Sequence, residues 1–321
     1  MNKDNLIVYV SSRNNYDMLK GEVFKIDFEG FEFINVDDES IIEEQNKGKK
    51  ICEENNVIYL QNKSRGVQMA TQTLIDFINK NRLNCKYVIC FQHDIKPITK
   101  NFFSRISKVI ESGEIDDFGA IGFNVIDNGK YTENSYQEFL EGKFPCGMLG
   151  LCHLSRLSPS TRWISPVHNK TLVNIYKNIE SPFIIEFPMW AAIGININIW
   201  NKIIIPTTDY HFHLWFPDIA MQLNINNKPL VVFPRLYCLN QQESKEAYGI
   251  PNNSAQSAMQ GNSYHFGEYG PHLENFKKRW NWDYENVSAT FPKEQYINTL
   301  LNDFYNHDPY KGPLKIYNIK Y

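Results

Sequence analysis

The chain has 321 residues, with 33 basic and 36 acidic side chains and a formal net charge of −3 at pH 7. Hydrophobic residues make up 42% of the sequence and aromatic residues 14%, which excludes a disordered chain. The balanced charge and the lack of a long basic run argue against nucleic acid as a partner. The length suits one large domain, or a domain with an extension, around an ample core.

Three features of the sequence predict a cytoplasmic protein. The six cysteines, at 52, 85, 90, 146, 152 and 238, contain no Cys-x-x-Cys pair and indicate reduced thiols. The N-terminal stretch "MNKDNLIVYVSS" has five consecutive apolar residues and no small-residue cleavage site, so no signal peptide is predicted. The apolar stretch 182–205 contains Glu186, Lys202 and several asparagines, and therefore indicates a buried strand and helix rather than a transmembrane segment.

The first 126 residues alternate short runs rich in Val, Ile and Phe with helical patterns. Strands are predicted at 5–12, 31–38, 57–62, 87–94 and 118–126. Helices are predicted at 39–56, 66–81 and 100–112. This alternation predicts an α/β fold with a mostly parallel central sheet that is covered by helices on both faces.

The remainder of the chain is less regular. Residues 127–169 are rich in Gly, Ser, Pro and aromatics, which indicates long loops around a site. Beyond the strand and helix in 182–205, a short helix precedes a last strand at 230–234, and two helices are predicted at 272–287 and 293–307. The predicted division is a catalytic domain at 1–240, with halves at 1–126 and 127–240, and a helical C-terminal extension at 241–321.

Acidic side chains stand where two predicted strands end. Asp37 and Asp38 close the second strand, and Asp94 closes the fourth. Ligands of open α/β sheets bind at the carboxyl ends of the strands. An aspartate in such a place also caps helices or shapes turns, which leaves both interpretations open for either position alone. The two positions together favour a ligand site.

The ordered set of motifs over residues 5–235 resembles the GT-A glycosyltransferases of the inverting family 2 type. The stretch "VDDES" (36–40) is similar to the family's Asp-Asp-x-Ser element. The stretch "NKSRGVQMATQTL" (62–74) resembles a helix start of the family, with Gln72 where Asn is usual. The stretch "QHDI" (92–95) resembles the one-carboxylate relatives of the Asp-x-Asp metal motif, with Gln92 where the first Asp often stands.

This resemblance implies a Rossmann-like GT-A fold and a role in glycan biosynthesis. A sugar would pass, with inversion, from a UDP-, GDP- or dTDP-sugar to a hydroxyl of a glycan or glycolipid acceptor, near the membrane if the acceptor is lipid-linked. Asp94 would bind Mn²⁺ or Mg²⁺, because a divalent cation stabilises a departing diphosphate. The residues implied in nucleotide binding are Ser11, Arg13, Asp37, Asp38, Arg65 and His93.

The acceptor side is predicted in the later part of the chain. In "HLWFPDIAMQL" (213–223), Asp218 matches the family's general base, which activates the acceptor hydroxyl, and Pro217 replaces the usual Glu. Phe-Pro-Asp before an apolar run is also a plausible helix start. Sugar or acceptor contacts are predicted for Trp190, His211, His213 and Trp215, although large aromatics are more often core residues.

Two other functions are consistent with the same residues. A metal-dependent hydrolase would use His211, His213 and Asp218, because a His-x-His pair with a carboxylate can bind zinc. His265 and His272 are further candidate metal ligands in either enzyme. A non-catalytic protein that binds nucleotide-sugars is the third interpretation, since the motifs lack two of the family's acidic residues.

Overall fold

The computed structural model describes residues 2–126, 150–151, 181–184, 187–188, 191–212, 214–240, 269–280 and 317–321. The strands are β1 (Leu6–Ser12), β2 (Glu32–Asp37), β3 (Ile58–Gln61), β4 (Tyr87–Phe91), β5 (Ile95–Pro97), β6 (Ala120–Ile126), β7 (Gly150–Leu151), β8 (Phe183–Ile184), β9 (Phe187–Pro188), β10 (Ala192–Asn196) and β11 (Leu230–Asn240). The α-helices are α1 (Tyr16–Gly21), α2 (Ile42–Glu54), α3 (Val67–Asn81), α4 (Phe102–Ser112), α5 (Ile197–Ile203), α6 (Trp215–Ile225) and α7 (Tyr269–Trp280). In the described part of the chain, 3₁₀ turns cover Lys3–Asn5 and Val23–Lys25.

Within the described residues, nine strands form one sheet in the order β3-β2-β1-β4-β10-β6-β11-β5, with β8 also paired to β11. Strands β3, β2, β1 and β4 are parallel neighbours, and β11 is parallel to β6. Strand β10 is antiparallel to both β4 and β6, and β5 and β8 are antiparallel to β11. The mostly parallel sheet predicted from the sequence is therefore confirmed, with an inserted antiparallel strand that periodicity did not predict.

The sheet is covered on both faces, because side chains of successive strand residues point to opposite sides. On β1, Ile7 and Tyr9 join a core cluster with α3, α5 and α6. Leu6, Val8 and Val10 join a second cluster with α1, α2 and α4. Both faces are thus buried, as the continuous apolar strands predict.

The predicted elements from residue 182 onward are partly confirmed. The apolar stretch 182–205 forms strands and helix α5 where it is described, and no described helix is long and apolar enough to cross a bilayer. Strand β11 extends to Asn240, well past the predicted end at 234, through a register shift between Phe233 and Tyr237. Of the two tail helices, α7 corresponds to the first, and 293–307 lies outside the described residues. The described cysteines (52, 85, 90 and 238) are buried and free.

Candidate functional site

The Asp38 carboxylate organises the loop between β3 and α3. Its Oδ1 accepts hydrogen bonds from Asn62 Nδ2 at 2.9 Å and from the backbone N–H of Gly66 at 2.7 Å. Both donors belong to the segment that precedes α3, so the carboxylate ties the end of β2 to the start of this helix. The side chain is almost fully buried, which strengthens these charge-assisted bonds.

Gly66 allows a second segment to approach this loop. Its φ of +121° lies in a region that L-residues with a Cβ rarely adopt, and a Cβ there would lie 3.1 Å from the carbonyl oxygen of Tyr210. The next residue, Val67, donates its backbone N–H to the carbonyl of His211 at 2.9 Å. The predicted acceptor residue His211 therefore lies against the start of α3, beside the loop that Asp38 holds.

Residues at the end of β1 complete this edge of the sheet. Arg13 Nη1 donates to the carbonyls of Asp38 and Glu39, at 2.7 and 2.8 Å. Ser11 is half-buried on β1 next to Val36 of β2, and Arg65 is half-buried in the loop just before α3. The residues predicted to bind the nucleotide on β1, on β2 and before α3 thus belong to neighbouring segments at the carboxyl ends of the strands.

Asp37 faces a different environment from Asp38. It is fully buried, its Oδ1 accepts the backbone N–H of Ser40 at 3.0 Å, and its Oδ2 accepts the Tyr16 hydroxyl. Since Tyr16 belongs to the helical layer with α2 and α4, the structure separates the two carboxylates that the sequence predicts as a pair. Asp38 is the one at the α3 loop.

His93 and Asp94 follow β4 in a turn closed by a 3.1 Å bond from the Ile95 N–H to the Gln92 carbonyl. His93 Nε2 lies 2.9 Å from Ser12 Oγ. Burial lowers the pKa of His93 to about 4, an effect that the nearby Asp94 carboxylate opposes. The imidazole is therefore neutral at pH 7. Asp94 is 6% exposed and stands directly before β5.

The residues of this turn carry side-chain groups of the kinds that bind divalent cations. Asp94 supplies a carboxylate, Gln92 an amide oxygen and His93 a neutral imidazole, whereas no three His, Cys, Asp or Glu side chains come together among the described residues. Hard cations bound through diphosphates need only one or two protein carboxylates, because phosphate oxygens and waters fill the remaining positions. By residue type, Asp94 would be the carboxylate ligand in such an arrangement.

Asp218 lies in the first turn of α6 and is fully buried. Its Oδ2 accepts from Gln68 Nε2 at 3.1 Å and from Gln222 Nε2 at 2.9 Å. Its Oδ1 accepts from Trp280 Nε1 at 2.8 Å and lies 3.2 Å from Arg279 Nε. Burial raises the pKa of this carboxyl, and Arg279 and the hydrogen bonds oppose the effect. Four donors match the roughly four acceptor positions of a carboxylate, so these contacts saturate the side chain.

Of the remaining predicted residues, Trp215, His211 and His272 are described by the structure. Trp215 is buried in the core at 2% exposure, in agreement with the packing alternative. The rings of His211 and His272 stand edge to face with centroids 5.3 Å apart, and His272 Nε2 accepts the His211 backbone N–H at 3.3 Å. Helix α7 therefore contacts the segment beside Gly66. Trp190, His213 and His265 lie outside the described residues.

The structure adds residues that sequence reasoning missed. Four side chains surround Asp218: Gln68, Gln222, Arg279 and Trp280. They come from α3, α6 and α7, and no spacing in the sequence relates α3 to α7. Other missed residues are the polar side chains inside buried strands, notably Asn35. Asn35 could have been identified from the sequence, because it is a polar residue in an otherwise apolar strand. Such side chains are normally buried only with hydrogen-bond partners.

No protein-family model matches the chain, and no curated protein sequence matches it. A crystal structure of GalNAc-T7 with UDP, GalNAc and Mn²⁺ superposes with a TM-score of 0.50 and 12% identity, covering 95% of this chain. This chain has the GT-A-like fold. It spans 58% of the GalNAc-T7 chain, and at this identity the likeness concerns the fold.

Two further solved structures match with lower scores. The mannosyltransferase PcManGT from Pyrobaculum calidifontis, in complex with GDP-Man and Mn²⁺, matches with a TM-score of 0.46 and 9% identity. The match covers 96% of this chain and 82% of the PcManGT chain. S. aureus TarS 1–349 matches with a TM-score of 0.44 and 13% identity, and the match covers 92% of this chain and 78% of the TarS chain.

Proposed function

We propose that this chain is a metal-assisted glycosyltransferase that uses a nucleotide-diphosphate sugar. The observation that carries the proposal is the meeting of the two acidic strand ends at Ser12. The Ser12 carbonyl accepts the backbone N–H of Asp38 at 2.8 Å, and its hydroxyl lies 2.9 Å from His93 Nε2, next to Asp94. One ligand that bound across the end of β1 would contact both segments, as a nucleoside diphosphate requires.

The nucleoside half of the donor is assigned to the α3 loop. Asp38 holds the backbone before α3 in place, and Arg13 fixes the chain after β2 by bonds to two of its carbonyls. These contacts shape a rigid polar edge for the base and ribose before the ligand arrives. Such preorganisation reduces the entropic cost of binding.

The diphosphate half is assigned to the turn after β4. Asp94 would hold a divalent cation, which supplies charge stabilisation to the leaving diphosphate. The neutral His93 adds no positive charge of its own near neutral pH. The turn is held by backbone bonds and by Ser12, so its donor atoms are fixed before the ligand binds.

We propose Asp218 as the group that takes the proton of the acceptor hydroxyl, with a single displacement and hence inversion. Its burial raises its pKa and makes it a better base than an exposed aspartate. Its four contacts also require that α7 withdraw Arg279 and Trp280 before an acceptor hydroxyl can reach Oδ1. The proposed acceptor is a hydroxyl group of a glycan or glycolipid.

The test is a thermal-shift panel of UDP, GDP and dTDP, with and without Mn²⁺ or Mg²⁺. We expect one nucleotide to raise the Tm of the wild type only together with a cation, by an amount that follows from ligand linkage. Asp94→Ala should still fold, but it should lose the part of the Tm increase that depends on the cation. Equal stabilisation of wild type and variant would contradict the role of Asp94. The hydrolase alternative would instead show tight zinc binding without any nucleotide effect.

A further inference from the structure

The two oxygens of the Asp218 carboxylate are held by different helices. Oδ2 accepts from Gln68 Nε2 of α3 and from Gln222 Nε2 of α6, at 3.1 and 2.9 Å. Oδ1 accepts from Trp280 Nε1 of α7 at 2.8 Å, and Arg279 Nε of the same helix lies 3.2 Å away. The carboxylate is fully buried, so these contacts decide which oxygen a substrate can reach.

The amides of the two glutamines are fixed in one orientation. Gln68 Oε1 accepts the backbone N–H of Thr207 at 3.0 Å, and Gln222 Oε1 accepts that of Ile205 at 2.7 Å. A backbone N–H can only donate, so the nitrogen end of each amide must face Asp218. Each Nε2 also donates to a backbone carbonyl, at 2.8 and 3.3 Å. Turning either amide around would break all of its bonds, so both donors to Oδ2 are held in place.

The contacts of Oδ1 are easier to break. Arg279 and Trp280 are the last two residues of α7, and both side chains are partly exposed. The only other printed anchor of the guanidinium within the described residues is a long 3.5 Å bond from Arg279 Nη2 to the Ile205 carbonyl. Helix ends fray at little cost. A small displacement of this end of α7 would therefore free Oδ1, whereas freeing Oδ2 would separate α3 from α6.

We propose that Gln68 and Gln222 are positioning residues that keep Oδ2 of Asp218 bound, so that Oδ1 is the atom that takes the proton of the acceptor. The inference rests on the proposed function. The acceptor hydroxyl would replace Trp280 at Oδ1 and give its proton to this oxygen. At the same time the hydroxyl oxygen would form a bond to the anomeric carbon, and the bond from that carbon to the diphosphate would break.

The position of Gln68 connects the base with the donor side. Gln68 stands two residues after Gly66, whose backbone N–H is bonded to Asp38 Oδ1 at 2.7 Å. The start of α3 therefore contacts both the carboxylate assigned to the nucleoside edge and the carboxylate assigned as the base. Catalytic groups that are held by one rigid element keep the orientation on which the rate depends.

The first test detects the two hydrogen bonds without a substrate. Glutamine side-chain amide ¹H shifts are compared by NMR between the wild type and Asp218→Asn. We expect the Gln68 and Gln222 protons to move upfield in the variant, because their bonds to a charged acceptor are lost. Gln72 is the matched control, since it lies one turn further along α3 and donates to Asp76 at 2.8 Å. Unchanged Gln68 and Gln222 shifts in the folded variant would overturn the positioning role.

The second test separates orientation from binding by measuring kcat and both KM values in three glutamine variants. Gln68→Met and Gln222→Met keep the length of the side chain and remove the amide. We expect kcat to fall by about 10-fold or more with KM values within about twofold, because the substrates still bind while the base is misdirected. Gln72→Met should keep the wild-type kcat. A wild-type kcat in a folded Gln68→Met or Gln222→Met would overturn the proposal.

The third test changes the other oxygen. Trp280→Phe keeps an aromatic ring and removes the donor to Oδ1, so kcat/KM for the acceptor should rise by about threefold or more. A fall like that expected for Gln68→Met would overturn the assignment of Oδ1. A wild type that transfers no sugar from any donor would refute the proposed function and the role of Oδ1 together. The NMR comparison would still decide whether the glutamines hold the carboxylate.

Discussion

Trp280 Nε1 donates a 2.8 Å hydrogen bond to Asp218 Oδ1 and thereby joins α7 to α6. Arg279 reaches the same oxygen at 3.2 Å. The contact connects a helix that follows β11 in the sequence with the carboxylate that we propose as the base. In the proposed mechanism, an acceptor hydroxyl would reach this oxygen only after these two side chains move away.

The first prediction concerns Asp218→Asn. We expect transfer to fall by at least about 100-fold, because the amide cannot take the acceptor proton, while the Kd of the nucleoside diphosphate changes by less than about twofold. Activity with a nucleotide-sugar and calorimetric binding of the diphosphate are the two measurements. Parallel loss of binding, activity and thermal stability would mean that Asp218 only fastens α7 to the body of the protein.

Gly66→Ala should weaken the nucleoside edge. The added Cβ meets the Tyr210 carbonyl at 3.1 Å and the φ of +121° is unfavourable, so we expect a loss of about 1–3 kcal/mol in unfolding free energy and weaker nucleotide binding. Gly270→Ala is the matched control, because its Cβ would have nothing within 4 Å. Chemical denaturation compares the two variants, and an equal effect in both would refute the special role of the α3 loop.

The stability of the protein should depend on pH through His93. Its pKa is lowered from 6.5 to about 4 by burial, so between these values the unfolded chain binds a proton that the folded protein does not. Unfolding free energy therefore falls as the pH drops from about 6.5 to about 4, by at most roughly 3 kcal/mol. Urea unfolding at several pH values measures this. His93→Gln should lose that part of the pH dependence, and an identical slope in both proteins would contradict it.

A fourth prediction concerns folding rather than chemistry. Glu29 accepts the backbone N–H groups of Phe103 and Ser104 at 3.0 Å each, and so caps the start of α4 from a distant loop. Glu29→Gln should cost about 1 kcal/mol of unfolding free energy, because a negative charge is lost at a helix N-terminus. Glu53→Gln, on the exposed side of α2, is the control for charge and should change little. Equal costs would refute the cap.

Much of the sheet was predictable from the sequence because it follows from local patterns. Continuous apolar runs fixed the strands that end in Asp37 and near Asp94, and the 3.6-residue spacing of Val67, Ala70 and Leu74 predicted α3. The antiparallel insertion of β10 between β4 and β6 was not predictable, since strand order depends on pairing between segments more than 60 residues apart.

The site was predicted less completely, because hydrogen-bond partners are set by tertiary structure. Adjacent aspartates such as Asp37 and Asp38 look equivalent in a sequence, yet the alternation along a strand turns them to different surroundings. The contact of Asp218 with Trp280 joins positions 62 residues apart, and no short-range pattern encodes it.

The most direct test of the central claim measures release of the diphosphate from UDP-, GDP- and dTDP-sugars by the wild type and by Asp94→Asn, with and without Mn²⁺. We predict Mn²⁺-dependent release from one donor class by the wild type, reduced by at least about 100-fold in Asp94→Asn. Release that is equal in the two proteins, or no release from any donor above the buffer rate with acceptor glycans present, would contradict the assignment of Asp94 to the leaving group.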